Sequence, residues 1–595
     1  MVISSWWLVL RAAANQPPAT SCQPLKMYRF LNRPAIAISL LLLPMAGFFA
    51  YFFILRYNIP WFDEYENIPY FLQRFLAATT VQEGLDALLR PNNEHRVLYA
   101  RLIVYGQYLL TGELNFANLM LWGNLGLVVI FALLVRTAQR QSLPFAALLP
   151  LPLLLFTAQN YLLTFTAIYT LQYLAIIMLV MATFYALAHP TWPRFGLAIG
   201  LGALATFSMG NGLLLWPAGA VMLGLQRRWS AAGIWLAMGA LSIWGYFLGY
   251  PVQQGNTEGF AYVLAHPGQT LAGFLVFAGS ILDIFPGWPV EKRVYLPIVG
   301  GLAVVSLLTF WLVRLVLRQV KRVRPEPPSI AETFLLGCAL FLLANMGLIA
   351  VFRIRFYFGM VLHSSYRTYS LVLWAVAWLM LASMIPQSRQ AVLLPTAWGL
   401  FLALNLFTYF TYLPEAIQRR KHLQGLTFNQ KYSQIGLGGL RNSALSRWIN
   451  ELNTTMHQRG WYDLPQPAIA ADESRLLSSP LPPTVTRQDT TNAANGPKLT
   501  IIQQPDYVTV TSDEPGYSLG LNRAIYLIFK SSANTYLMLA EPNRPTGWRP
   551  FSVIPGWFVP MPKGMVQPGQ YRVGLYRTAP TGNQVEWKND VVRVD

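Results

Sequence analysis

The chain has 595 residues, 54% of them hydrophobic and only 12% charged, with a mean hydropathy of +0.38. Soluble globular chains carry about 25% charged residues, so a purely soluble protein is excluded. In a soluble chain the net charge of +19 would raise the question of nucleic acid, but thirteen of those charges lie before residue 414, in the hydrophobic part, where basic residues mark cytoplasmic loops.

Residues 1–33 read as a cytoplasmic N-terminal tail with one short apolar patch, Ser4–Leu10, and no convincing cleavage pattern. Translation starts at Met1 or at Met27, just ahead of the first full-length span. Cys22 and Cys338 have no C-x-x-C neighbour, so neither a disulfide framework nor a zinc site is supported.

A helix crossing about 30 Å of hydrocarbon needs roughly 20 apolar residues. Such runs cover 34–55, 115–135, 168–188, 231–250, 294–317, 330–352, 369–385 and 391–413, and shorter ones cover 143–158, 195–208 and 212–225. The fold class expected is an all-α polytopic membrane protein of about eleven transmembrane helices. With the N-terminus inside, the inner ends collect Arg29, Arg33, Arg136, Arg140, Arg194, Arg227, Arg228, the cluster from Arg314 to Arg324, and Arg389. That alternation leaves the C-terminal part outside, against which the Arg419-Arg420-Lys421 cluster speaks. Segments 97–110 and 269–285 then lie against, or dip into, the outer membrane surface.

The outer loop 56–96 opens with Trp61-Phe62-Asp63-Glu64, and Asn67 with Pro69 is expected to cap a short interfacial helix. Asp63 and Glu64 fit a solvated acidic loop, and equally a general base whose pKa rises by partial desolvation at the membrane surface. The loop closes with Glu94-His95-Arg96, a proton-transfer group beside an anion-binding one, although a lone His is more often structural. Gly200-x-Gly202-x-x-Ala205 lies inside a span, where it serves close helix packing and not dinucleotide binding. Ser329 and Glu332 form a capping box for the span at 330. Arg353, Arg355 and Arg367 crowd the outer ends of spans against the usual bias. Snorkelling to headgroups and binding of a phosphate both account for them.

Past the membrane domain at 34–415, residues 416–498 read as a polar region followed by a Pro/Ser/Thr-rich linker. Residues 499–595 read as a small all-β sandwich-like domain with strands at 499–503, 507–512, 524–531, 535–541 and 571–577. Its Trp548, Trp557 and Trp587 suit stacking on sugars or a core equally.

An acidic pair directly after the first span, two interfacial helices and a long multi-span body resemble the C-type (GT-C) fold of integral membrane glycosyltransferases. Phe62-Asp63-Glu64, Asn93-Glu94-His95-Arg96, Gln159-Asn160-Tyr161, the stretch Gly210-Asn211-Gly212 to Pro217, and Ser365-Tyr366-Arg367 with Leu373-Trp374 are similar to a group of bacterial multi-span proteins of this type. One departure is that Tyr366 precedes Arg367 where that group more often has Ser-Arg-Tyr. The resemblance covers about 34–415 and implies a bacterial inner-membrane enzyme that moves a sugar from a polyprenyl-phosphate donor to a glycan, lipid or protein acceptor on the outer face. It implies Asp63 as catalytic base with Glu64 in support, Arg353, Arg355, Arg367, His95 and Arg96 on the substrate phosphate, and Glu94, Tyr366 and Asn211 as acceptor or supporting residues. Metal dependence varies across that fold, so a divalent metal is compatible, and no carboxylate cluster demands one. The alternatives are a transporter or lipid flippase and a non-catalytic envelope scaffold. Transporters place ionisable groups near the midplane and show repeated halves, whereas here those groups lie at span ends and no repeat is found.

Overall fold

A computed structural model describes residues 22–92, 95–250, 256–321, 327–465, 472–478, 498–514, 520–543 and 554–595. Among them nine helices are long and apolar enough to cross a membrane, which makes the chain a multi-pass membrane protein. They are α1 Pro34–Leu55, α2 Phe116–Arg140, α3 Phe145–Thr164, α4 Ala167–Leu187, α5 Trp229–Phe247, α6 Val290–Gln319, α7 Ile330–Arg353, α8 Arg367–Met384 and α9 Gln387–Ser433. The two other expected spans are helices too, Trp192–Ser208 and Gly210–Leu225, the first only 17 residues and about 25 Å long. Their shortness is why nine, and not eleven, meet the length criterion.

Position in the bundle follows from how much of each helix is covered. Of the apolar stretch of α3, 89% is buried, against 28% for α1, so α3 is central and α1 faces lipid. Small residues set the closest contacts. A Cβ added at Gly123 in α2 would lie 2.1 Å from Thr170 Oγ1, and one at Gly202 would press on Leu215 and Trp216, the packing role expected there, whereas one at Gly200 would meet nothing within 4 Å. Helix Leu98–Thr111 lies where an interfacial helix is expected and stops at Gly112 (φ 72°). Glu258–Ala265 and Pro267–Ala278 form an apolar pair bent by 104°, and Gly279 and Gly301 bring the second helix against the backbone of α6. The Ser329–Glu332 capping box is present as expected, and Glu332 also pairs with Arg318.

Long-range contacts sort the helix ends onto two faces, as the alternation requires. One face joins Asn32 to Ala146 N (3.1 Å), Tyr28 to Gln390 (3.2 Å), and Arg228 to the Leu187 carbonyl (2.9 Å). The other joins Tyr57 to the Phe165 carbonyl (2.6 Å), Glu64 to Ala167 N (2.5 Å) and Arg96 to the Tyr246 carbonyl (2.8 Å).

Helix α9 corrects the expected boundary at 415. Its 47 residues span about 70 Å, more than twice a hydrocarbon core, so it continues beyond the membrane and carries Arg419 to Ser433 with it. Pro414 interrupts one backbone bond without ending the helix, because the later turns bury Ala416, Leu423 and Leu426 against the body.

The C-terminal domain is a sandwich of two four-stranded antiparallel sheets, ordered β1-β2-β6-β5 and β4-β3-β7-β8. Its strands are β1 Leu499–Gln503, β2 Tyr507–Ser512, β3 Ala524–Lys530, β4 Thr535–Leu539, β5 Glu541–Pro542, β6 Trp557–Pro562, β7 Gly569–Thr578 and β8 Gln584–Val594. All seven residues of β3 are buried. Leu527 and Phe529 point into the sandwich, while Tyr526 and Ile528 pack with Phe428 of α9. Asn429 of α9 caps the free edge of β4, accepting from Leu537 N (2.7 Å) and donating to Leu537 O (2.9 Å). Trp557 is a core residue and Trp587 packs on Gly574; Trp548 lies outside the described residues.

Candidate active site

The site grows from the turn after α1. Phe62 adopts a left-handed conformation (φ 50°), which a bulky residue holds only at a cost of about 1–3 kcal/mol. The turn closes with Glu64 N on the Trp61 carbonyl (3.1 Å) and Tyr65 N on the Phe62 carbonyl (3.1 Å). It leaves Glu64 fully buried and Asp63 half-buried. The helix that follows starts at Glu64 and not after Asn67. Asn67 lies inside a π-helical turn, Glu66–Tyr70, and its side chain donates to the Asp63 carbonyl (3.0 Å). The wider turn accommodates Pro69, which lacks the amide an α-helix would use. A second π turn, Thr170–Leu174 in α4, follows directly on Tyr169, the neighbour of Asp63.

The two carboxylates differ in role. Glu64 accepts from Trp61 N (2.7 Å) and Ala167 N (2.5 Å), which ties the loop to the start of α4. Burial pushes its pKa up to about 8, outweighing those amides and the nearby Arg419 guanidinium, so it holds its proton near neutral pH. The Asp63 carboxylate makes no hydrogen bond or ion pair among the described residues, and partial burial lifts its pKa above the ordinary carboxylate range.

Arg419 reaches this turn from α9. Its Nε donates to Tyr57 (3.1 Å), its Nη2 to Thr166 (3.2 Å), and the guanidinium lies over the Trp61 ring. Its Nη1 makes no hydrogen bond among the described residues. His363, 2.7 Å from Ser365 Oγ, has its pKa pushed down to about 4 by burial and by Arg367 and Arg419, so it is neutral at pH 7.

A cavity of about 340 Å³ is linked to the turn through the rings of Tyr169 and Tyr173. Four of the residues singled out from sequence, His95, Asn211, Arg353 and Tyr366, line it, although they come from three distant stretches. Asn211 donates to Asn345 (2.8 Å) and Tyr369 (2.9 Å), and its Oδ1 and the Nδ2 of Asn345 are buried without partners. Tyr173 joins the two regions, its ring 5.3 Å from that of Tyr169, beside Asp63, and 5.3 Å from that of Tyr366.

The other chosen cations have local partners. Arg96 donates to the carbonyls of Tyr246 (2.8 Å), Leu248 (2.5 Å) and Leu89, which fastens the loop to the end of α5. Arg355 pairs with Glu258 (2.9 Å). Arg367, 1% exposed, pairs with Asp283 (2.5 Å) and donates to the Leu362 carbonyl (2.8 Å). These contacts are structural cross-links that occupy all three nitrogens of the Arg96 guanidinium and both terminal nitrogens of Arg367, whose Nε is buried without a partner among the described residues. Glu94 lies outside the described residues. Arg419, Asn345, Tyr173 and Asp283 were not singled out, and of these only Arg419 carried a visible signal, its basic cluster.

No family model matches the chain, and neither the curated proteins nor the solved structures compared with it give a significant match.

Proposed function

We propose that the chain is a lipid-linked-sugar glycosyltransferase of the C-type, with eleven spans, its site on the outer face of a bacterial inner membrane and its β-domain outside. The observation that carries this reading is Asp63, a partly desolvated carboxylate with no hydrogen bond or ion pair among the described residues, on the turn that Arg419 reaches and linked through Tyr169 and Tyr173 to an aromatic-walled cavity that presents Arg353, His95 and Asn211. An acceptor hydroxyl gives its proton to Asp63 as its oxygen attacks the anomeric carbon. The bond from that carbon to the phosphate oxygen breaks, and the lipid phosphate leaves with the bonding electrons. Arg419 and Arg353 offset the charge that develops there, in a site with little water to compete. Tyr173 and Tyr366 stack on the sugar. Glu64, protonated and buried, holds the turn and does not take the proton.

The experiment compares envelope glycans of cells carrying wild type, Asp63→Asn, Arg419→Ala or Arg419→Lys at equal membrane abundance. Asp63→Asn and Arg419→Ala should lose a sugar substituent, and Arg419→Lys should recover part of it. An unchanged glycan profile with Asp63→Asn removes the reading.

A further inference from the structure

A second concavity, of about 590 Å³, lies between α1 and α9 and is separate from the site described above. Its α1 wall is made by Leu43, Pro44, Gly47, Ala50, Tyr51 and Ile54, which share one helix face, three of them small or ring-closed. The α9 wall is apolar as well, from Leu402 up to Ile417. Leu43, Ile54 and Leu406 are exposed, so the groove opens onto the hydrocarbon. From Leu43 to Leu55 it runs about 18 Å at 1.5 Å per residue, close to the roughly 15 Å of one leaflet.

The upper end is built differently. Leu521 of the β-domain closes it, and basic residues flank the residues that line it there. Arg420 donates to the Ile54 carbonyl (2.8 Å), Arg56 follows α1 directly, and Lys421 donates to the carbonyl of Arg523, whose own side chain is exposed. None of Arg56, Arg420 and Arg523 has an acidic partner among the described residues. About one turn below, Tyr51 and Tyr409 line the groove through their rings, and their hydroxyls are buried away from it.

We infer that this groove is a binding site for an anionic glycerophospholipid of one leaflet, its phosphate in the arginine collar and its acyl chain between α1 and α9. Two features select that occupant. The collar complements a phosphate, to which guanidinium offers paired donors. The collar is also turned away from the reacting groups: Ile417 and Arg420 share one face of α9, while Arg419 lies over Trp61 on the interior side. The bound lipid therefore joins the β-domain to the membrane body, since its head touches Arg523 on one and Arg420 on the other.

The test uses the full-length protein purified in mild detergent and titrated with phosphatidylglycerol or phosphatidylcholine, read by native mass spectrometry and by thermal unfolding. A Cβ on Gly47 meets nothing within 4 Å, so Gly47→Phe fills the groove without clashing with the fold, and Leu406→Trp fills it from the facing wall. Gly233→Phe, on the exposed side of α5 and with equally open surroundings, is the control. Wild type and the control should retain phosphatidylglycerol and gain several degrees of thermal stability from it. Both groove-filling variants should lose at least tenfold in affinity. Arg420→Ala with Arg523→Ala should abolish the preference for phosphatidylglycerol over phosphatidylcholine. The inference is overturned by groove-filling variants that bind as the control does, by a preference that survives loss of both arginines, or by a co-purifying lipid with the mass of an isoprenyl phosphate.

Discussion

The assignment of Arg367 as a structural cation has a measurable consequence through its partner. Asp283 is 1% exposed and accepts from Arg293 Nε (3.0 Å) and Nη2 (2.5 Å), Arg367 Nη2 (2.5 Å) and Tyr412 (3.3 Å). Asp283→Asn removes the one charge that two guanidiniums share. Breaking a buried pair costs about 3–5 kcal/mol, because the remaining charge stays desolvated, and two stranded arginines place this variant at the upper end. Arg367→Met strands nothing comparable, since Asp283 keeps both bonds to Arg293. Its cost falls at or below the lower end, with the Leu362 carbonyl losing a donor. The double variant should be more stable than the two single losses added together, because each partner's removal relieves the other. Thermal unfolding of the purified protein in one detergent measures all three, alongside KM for the proposed lipid-linked donor. Were Arg367 a phosphate ligand, Arg367→Met would raise donor KM and leave unfolding unchanged. A variant within a degree of wild type whose KM for the donor has risen tenfold would refute the structural assignment.

Glu64 makes stability depend on pH. Its pKa is raised to about 8 against an ordinary 4.5, so its contribution is fully present below pH 4.5 and is lost as pH rises through about 8, a loss of a few kcal/mol. Unfolding temperature should fall between pH 5 and 8.5 in wild type and fall less in Glu64→Gln; equal slopes would contradict the buried-acid assignment. Asn429→Ala uncovers one amide and one carbonyl of β4, a cost of about 1–3 kcal/mol for each group left unpaired. Limited proteolysis should then cut the β-domain faster, with Asn429→Asp intermediate because it keeps the acceptor.

The order of the spans was legible because an apolar run of membrane length has few other readings, and the sorting of helix ends onto two faces agrees with the arginine alternation. What the helices do with one another was not legible. α1 and α3 are both apolar throughout, yet one faces lipid and the other is almost wholly covered, a difference set by neighbours and not by composition. In the β-domain, β6 was missed because Pro560 and Pro562 remove ladder donors, which argues against a strand. It is tolerated since one side of β6 pairs with β2 and the other with only the two-residue β5. β8 was missed for the opposite reason, a sequence with many polar residues, of which Val592 and Val594 reach the sandwich core while Val585 and Trp587 pack on the second buried cluster.

The site was legible where position decides and obscure where partners decide. Asp63 and Glu64 stood out because acids directly after a span sit at the headgroup level, but their separation into an open base and a buried acid needs the Phe62 turn and the amide of Ala167. The arginines were misjudged in both directions. Arg96, Arg355 and Arg367 drew notice as cations on the wrong side of the charge rule, and each answers to a group far away in sequence: the Tyr246 carbonyl, Glu258 and Asp283. Arg419 was treated as an orientation signal, and it reaches over Trp61 to the reacting turn. The rule that counts cations at helix ends assumes that water solvates them. Once a guanidinium is desolvated against carbonyls or carboxylates it no longer reports orientation, whereas Arg419 keeps its Nη1 open over the turn that carries the unpartnered Asp63.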